Sequence, residues 1–295
     1  MFHVKQFFRK RKKGLAIGGG GVRSASAVGV LKHFQKHSIK FDFVSGTSMG
    51  AIVGGLYCYY LSAEIVEEKI KKTYESPFFS DLREEFKSNL QSKADINEAS
   101  IRERFTTYFS RLKLFRKMIT ETSIVSHDKV ESFIEEVIPD VNIEDLPVNF
   151  CCVATDITGA KRHIFTKGPL REAIMASIAV PGIIAPSQIG NLILSDGGSV
   201  SVTPVEELKV SGANFTVAIE VFPNIKERLD FDRGIEIMER CSKITSMELH
   251  KKQIAEADVI ISPEVKDLVW SDFEAFNDAI EAGAKAALGT EKLIR

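Results

Sequence analysis

Apolar residues in this chain gather in runs of two lengths. The short runs are "GLAI" from Gly14, "FDFVSG" from Phe41, "VNFCCVATDI" from Val148, "LILSD" from Leu192, "FTVAIEVF" from Phe215 and "ADVIISPEV" from Ala257. Each holds a few consecutive buried-type side chains, rich in β-branched and aromatic residues, and is bounded by glycine, proline or polar residues, so each predicts a strand covered on both faces. "HIFT" from His163 predicts a hairpin partner across the Thr158-Gly159 turn. The longer runs carry helical spacing. "SASAVGVLKHFQKHS" places Val30, Leu31 and Phe34 on one face, "MGAIVGGLYCYYLS" is apolar nearly all round, and "GPLREAIMASIAV" stops before Pro181-Gly182. "SDFEAFNDAIEAGAKAAL" closes the chain as an amphipathic helix. A further helix between the last two strands carries the stripe Ile237, Cys241, Ile244 and Met247, continued by His250 and Ile254, which predicts a core-facing side. Strand, helix, strand, helix with short connections predicts an α/β fold: a mainly parallel sheet covered by helices on both faces.

The texture changes between Ser62 and about Asp128, where charges of both signs alternate with spaced apolar residues and Pro77 is the only proline. This predicts a helical cap inserted into one domain that runs from 14 to 295. Within it, "FTTYFSRLKLFRKMI" reads as an ordinary amphipathic helix or as a membrane-facing one. The first 13 residues carry Lys5, Arg9, Lys10, Arg11, Lys12 and Lys13 and no acid, a basic tail suited to solvent or to anionic lipid.

Composition narrows the class. Over 295 residues, 44% are hydrophobic and 27% charged, as in globular proteins, and the net charge of -1 offers no footprint for nucleic acid. No run reaches the roughly 18 uninterrupted apolar residues of a membrane span, and no secretory core follows the basic start. The four cysteines, Cys58, Cys151, Cys152 and Cys241, form no CxxC pair. They predict reduced thiols in a reducing compartment, and no metal set is expected. The absence of export signals and the basic ends of the predicted helices suggest a cytoplasmic protein that visits the inner membrane surface.

Three local patterns carry candidate chemistry. "SGTSMG" holds Gly46-Thr47-Ser48-Met49-Gly50, a G-x-S-x-G between a predicted strand and a predicted helix, the context of a nucleophile elbow. A serine N-cap with packing glycines is the plainer reading of the same residues. "GGGG" at Gly18–Gly21, just before a helix, can present backbone N–H groups to an oxyanion. It fits a phosphate cradle less well: Val22-Arg23-Ser24 stands where a Walker motif needs Gly-Lys-Ser/Thr, and Ser24 where a dinucleotide fingerprint starting at Gly19 needs glycine. "LILSDGG" ends a strand at Asp196, where burial would raise the carboxyl pKa and make it a usable base; an Asp-Gly turn with no chemistry is the alternative. A Ser–Asp–His triad in α/β-hydrolase order could use only His250.

Taken together, "GGGGVRS", "FVSGTSMGAIVGGLY", "GPLREAIMASIAVPGIIAP" and "DGG" in this order resemble the patatin-like phospholipases, from Gly14 to Pro204 and weakly through "IAEADVIISPEV". The resemblance implies a three-layer α/β/α sandwich and a Ser-Asp dyad without histidine. It places the nucleophile at Ser48 and the base at Asp196. The oxyanion loop falls on Gly19, Gly20 and Gly21, with Arg23 as its basic residue. The family usually has glycine after that basic residue, where this chain has Ser24. The implied activity is hydrolysis of phospholipid or lysophospholipid acyl esters through an acyl-enzyme, with no cofactor. Acyl transfer by the same residues, or lipid binding with a silent dyad, are the alternatives.

Overall fold

A computed structural model describes residues 11–76, 79 and 123–295. The basic start up to residue 10, the cationic aromatic stretch and most of the expected cap lie outside the described residues. The strands are β1 (Lys13–Ile17), β2 (Phe43–Thr47), β3 (Asn149–Asp156), β4 (Lys161–Phe165), β5 (Ser187–Ile189), β6 (Leu192–Asp196), β7 (Phe215–Ile219) and β8 (Val259–Ile261). They form one sheet in the order β5-β6-β3-β2-β1-β7-β8, with β4 also on β3. The strands β3, β2, β1, β7 and β8 pair in parallel. The "HIFT" strand β4 is antiparallel to β3, as a hairpin requires, and β6 is antiparallel as well.

Alternation along the central strands builds the layers, because successive side chains of a strand leave on opposite faces. Leu15 and Ile17 of β1, with Val217 and Ile219 of β7, join the large core, while Ala16 and Ala218 join a second, smaller one. The large core is covered by α1 (Ser26–Lys36), α2 (Met49–Tyr60), α3 (Ala63–Glu75), α4 (His127–Val137), α5 (Leu170–Ser177) and α8 (Phe276–Ala286). The smaller core is covered by α6 (Val205–Ser211) and the end of α7 (Gly234–Ile254). Small alanines on that face let the short helix α6 lie close to the sheet. The result is the three-layer α/β/α sandwich expected from the resemblance.

Two expectations change. The helix α3 belongs to the main body rather than to a cap: Val66, Ile70 and Tyr74 are buried in the large core. The stripe on α7 is mostly not a core face, since Ile237 and Ile244 are 49% and 40% exposed and Cys241 is exposed. Only His250 and Ile254 of that helix are buried. The four thiols are unpaired, and Cys151 and Cys152 do leave β3 on opposite faces: Cys152 joins the large core and Cys151 meets Ser211 of α6. Burial pushes the Cys151 thiol up to about 12. Among the described residues no helix is long and apolar enough to cross a membrane.

Candidate active site

The pairing of β3 brings the two candidate catalytic side chains together. On β3, residues 149–153 pair with β2 and residues 154–156 pair with β6, while β4 pairs with residues 152–156. A strand has two edges, so β2 and β6 must share one and β4 takes the other. Along the shared edge β2 runs up to Thr47, opposite Val153, and β6 runs down to Asp196, opposite Ala154. The two strands therefore end head to head, with Ser48 one residue past Thr47 and Asp196 facing it.

Ser48 sits in a backbone conformation that a serine rarely adopts, with φ 54° and ψ −129°. A non-glycine residue held there costs of order 1–3 kcal/mol, and the surroundings must enforce it. They do so by crowding. A Cβ on Gly46 would lie 2.4 Å from the Gly50 carbonyl oxygen, and one on Gly50 would lie 2.4 Å from that of Ile17. The bare backbone lets α2 start directly over the ends of β1 and β2, and the sharp turn pushes the Ser48 side chain outward. The Ser48 N–H donates to Ser177 Oγ at 3.0 Å, and that hydroxyl donates to the Val153 carbonyl at 2.7 Å. Ser177, at the end of α5, thus ties the elbow to β3. Nothing in its sequence surroundings marks it, because a buried serine in an apolar helix also reads as a packing residue. Ser177→Ala leaves two polar groups without partners. It is expected to cost about 1–3 kcal/mol in urea unfolding and about tenfold in kcat, with KM little changed.

Asp196 is anchored on several sides. Its N–H donates to the Ala179 carbonyl at 2.9 Å, and its carbonyl accepts from Thr155 Oγ1 at 2.7 Å. Its Oδ1 accepts from the Gly198 N–H at 2.6 Å, while Oδ2 is buried without a hydrogen-bond partner. Burial raises the carboxyl pKa to about 6, opposed by the neighbouring Ser48 hydroxyl, which is close enough to pull on the carboxylate but makes no hydrogen bond to Oδ2, and by the Gly198 N–H. A base of that strength is charged at neutral pH and still able to take a proton. His250 is not part of this arrangement: its Nε2 meets Glu220 Oε1 at 3.3 Å and its ring stacks on Phe222.

The glycine loop lies beside Ser48. The Gly18 and Gly19 amides are already used, donating to the carbonyls of Ile219 and Val202 at 3.1 and 2.9 Å. Gly19 therefore differs from its expected role as an oxyanion donor. Its value is clearance, since a Cβ there would come within 3.1 Å of Ser48 Cβ. Among the described residues the Gly20 and Gly21 N–H groups donate to no other group, so theirs are the open amides of the loop, while the Gly21 carbonyl accepts from the Tyr74 hydroxyl at 3.5 Å. Gly21 has φ +59° and a Cβ there would lie 2.2 Å from the Trp270 carbonyl oxygen. That same oxygen accepts from the Val22 N–H at 2.9 Å. Ser24, where the family usually has glycine, is buried, and its hydroxyl donates to the Gly18 carbonyl at 2.8 Å, so it clasps the loop. Arg23 is also buried. Its Nη1 donates to the Leu268 carbonyl at 2.9 Å, Nε has no partner, and burial lowers the guanidinium pKa to about 10. The loop carrying Leu268 and Trp270 thus shapes the site from 245 positions further along the chain.

These groups border one cavity of about 460 Å³. Ser48, Asp196 and the glycine loop form its polar corner, and Ile52, Phe133, Ile184, Phe222 and Phe273 are among the side chains that make the rest apolar. The size is that of a pocket for a small organic ligand, about 300–1,000 Å³.

An uncharacterized NTE family protein of Mycobacterium bovis is 27% identical over 207 residues, covering 70% of this chain and 48% of that protein. Lysophospholipase NTE1 of Debaryomyces hansenii is 24% identical over 305 residues, covering 92% of this chain and 17% of that protein. The chain thus spans about half the length of the mycobacterial relative and far less of the yeast one. The crystal structure of VipD from Legionella pneumophila shares the fold, with a TM-score of 0.51 at 12% identity, covering 97% of this chain and 67% of that one. Residues 15–209 match the family described as patatin-like phospholipase, a span that holds the glycine loop, the elbow and Asp196, and the chain belongs to that family.

Proposed function

We propose that the chain is a serine hydrolase of fatty-acyl esters in phospholipids or lysophospholipids, working through a Ser48–Asp196 dyad. The observation that carries this reading is the meeting of β2 and β6 on one edge of β3, which sets a strained serine against a buried carboxylate at the end of an apolar cavity. The acyl chain lies along the apolar wall with its ester carbonyl at Ser48. Asp196 takes the Ser48 proton as the oxygen attacks, and the Gly20 and Gly21 amides hold the oxyanion. Asp196 then gives that proton to the departing alcohol or lyso-lipid. Water, losing a proton to Asp196, attacks the acyl-enzyme and releases the fatty acid, and Ser48 recovers its proton.

Contact with a lipid surface is part of the proposal. Ser242 and Lys243 of α7 border the cavity, and Ile235 and Met238 on the same helix are exposed. The test is fatty-acid release from diacyl and lyso-phospholipid vesicles, alongside a water-soluble ester. Release by wild type that is lost in Ser48→Ala supports the proposal, and the diacyl-to-lyso ratio names the substrate. Equal turnover by wild type and Ser48→Ala rejects it. Acyl transfer instead of hydrolysis would show as an ester product formed with an added alcohol acceptor.

A further inference from the structure

His33 of α1 and His37, the residue that caps the C-terminus of that helix, meet Glu291, the first residue of α9 (Glu291–Ile294). A four-residue spacing puts both imidazoles on one side of the helix, one turn apart. Their rings lie 4.3 Å apart between centroids and are tilted by 34°. His33 Nε2 lies 3.0 Å from Glu291 Oε2, and one ligand atom from each of the three residues lies within 4.8 Å of the others. His33 is buried, and the other two are partly so.

The His37 ring is held in a particular way. Its Nδ1 lies 2.9 Å from the His33 carbonyl oxygen, which can only accept, so Nδ1 carries the proton and donates. In the neutral ring Nε2 is then a bare lone pair. Imidazoles that bind metal are set in this fashion, one nitrogen donating to a carbonyl while the other faces the ion. The Glu291 carboxyl supplies the negative charge. Its pKa is held below the usual carboxylate range, first by the hydrogen bond from His33 and then by the backbone at the start of α9.

We infer that His33, His37 and Glu291 form a site for one zinc-class divalent ion that staples α9 to α1. Two imidazoles and one carboxylate suit such an ion, whose bonds to nitrogen and oxygen are about 2.0–2.2 Å long, with water completing the coordination. The ion takes the place of the hydrogen between His33 Nε2 and Glu291, the displaced proton moving to His33 Nδ1 or leaving to solvent, and a small rotation of the two partly exposed side chains closes the remaining distance. Without it, α9 is attached by this pair, by Arg11 Nη1 on the Leu293 carbonyl at 3.3 Å, and by the buried Ile294. The site was invisible in the sequence because its histidine and carboxylate partners are 258 positions apart.

The test uses the full chain, stripped with a chelator and dialysed, then titrated with zinc chloride by calorimetry. Cobalt(II) serves as a visible-absorption probe of the coordinating atoms. The expected result is one equivalent bound and a Tm about 5 °C higher at a hundredfold excess over Kd. His37→Ala and Glu291→Gln, both at partly exposed positions, should each weaken binding at least tenfold while retaining the circular dichroism of wild type. No saturable binding below about 100 µM zinc, or isotherms unchanged in both variants, overturns the inference.

Discussion

Asp196→Asn is expected to release fatty acid about 10³-fold more slowly than wild type and yet to be the more stable protein at pH 8. The first effect follows from the proposed chemistry. An amide cannot accept the Ser48 proton, although it keeps an oxygen for the Gly198 N–H that Oδ1 now holds. The second follows from burial. The carboxyl pKa rises from 3.8 to about 6 on folding, so ionised Asp196 opposes folding by up to about 3 kcal/mol at pH values above 6. The sign is that of a raised acid: the folded state binds the proton more tightly, so stability falls as pH rises from about 4 to 6. Urea unfolding of the two proteins across pH 4–8 checks this. The advantage of the variant should be full at pH 8 and fade as the pH falls through 6 toward 4. In the same window wild-type kcat/KM should fall about tenfold per pH unit below 6, as the base becomes protonated. A variant that is both inactive and less stable at pH 8 would mean that Asp196 holds the turn rather than serving as base. Ser48→Ala supplies the companion measurement, because it removes the nucleophile and leaves the carboxylate in place.

Gly50→Ala should damage both stability and turnover through one methyl group. The added Cβ would lie 2.4 and 2.7 Å from the carbonyl oxygens of Ile17 and Gly18. Those atoms belong to β1 and the start of the glycine loop, so no side chain can swing aside. The start of α2 must lift away from β1, and Ser48 moves with it. Overpacking of this kind costs about 1–3 kcal/mol, and a displacement of about 1 Å at the reacting atom costs on the order of 10²-fold in rate. Urea unfolding measures the first and hydrolysis of a water-soluble ester the second. Wild-type stability and kcat in this variant would show that the elbow has room the geometry denies it.

The candidate catalytic pattern was legible because each part of it is local. A nucleophile elbow needs glycines within two residues of the serine, and the glycine loop needs a strand before it and a helix after it. Both requirements are written within a few positions of Ser48 and of Gly18–Gly21. The parallel core strands were legible for a similar reason, since burial on both faces leaves continuous apolar runs. Pairing direction was not. The apolar pattern of "LILSD" is the same whether β6 runs parallel or antiparallel to β3, so the sequence says that Asp196 ends a strand without saying what it faces.

Other features depend on partners that arrive from a distance. The Gly19 amide differs from those of Gly20 and Gly21 only because Val202 reaches it, and Ser177 matters only because α5 lays it under the elbow. The stripe on α7 misled for the opposite reason. Helical periodicity marks which residues share a face, but only packing decides whether anything covers that face, and Ile237 and Ile244 stayed exposed. The sequence by itself therefore determined the identity of the chemical groups and the short-range geometry each requires. The tertiary structure decided which groups meet, which amides remain open and how strongly burial shifts Asp196, because those depend on strand register and desolvation that no local window of residues contains.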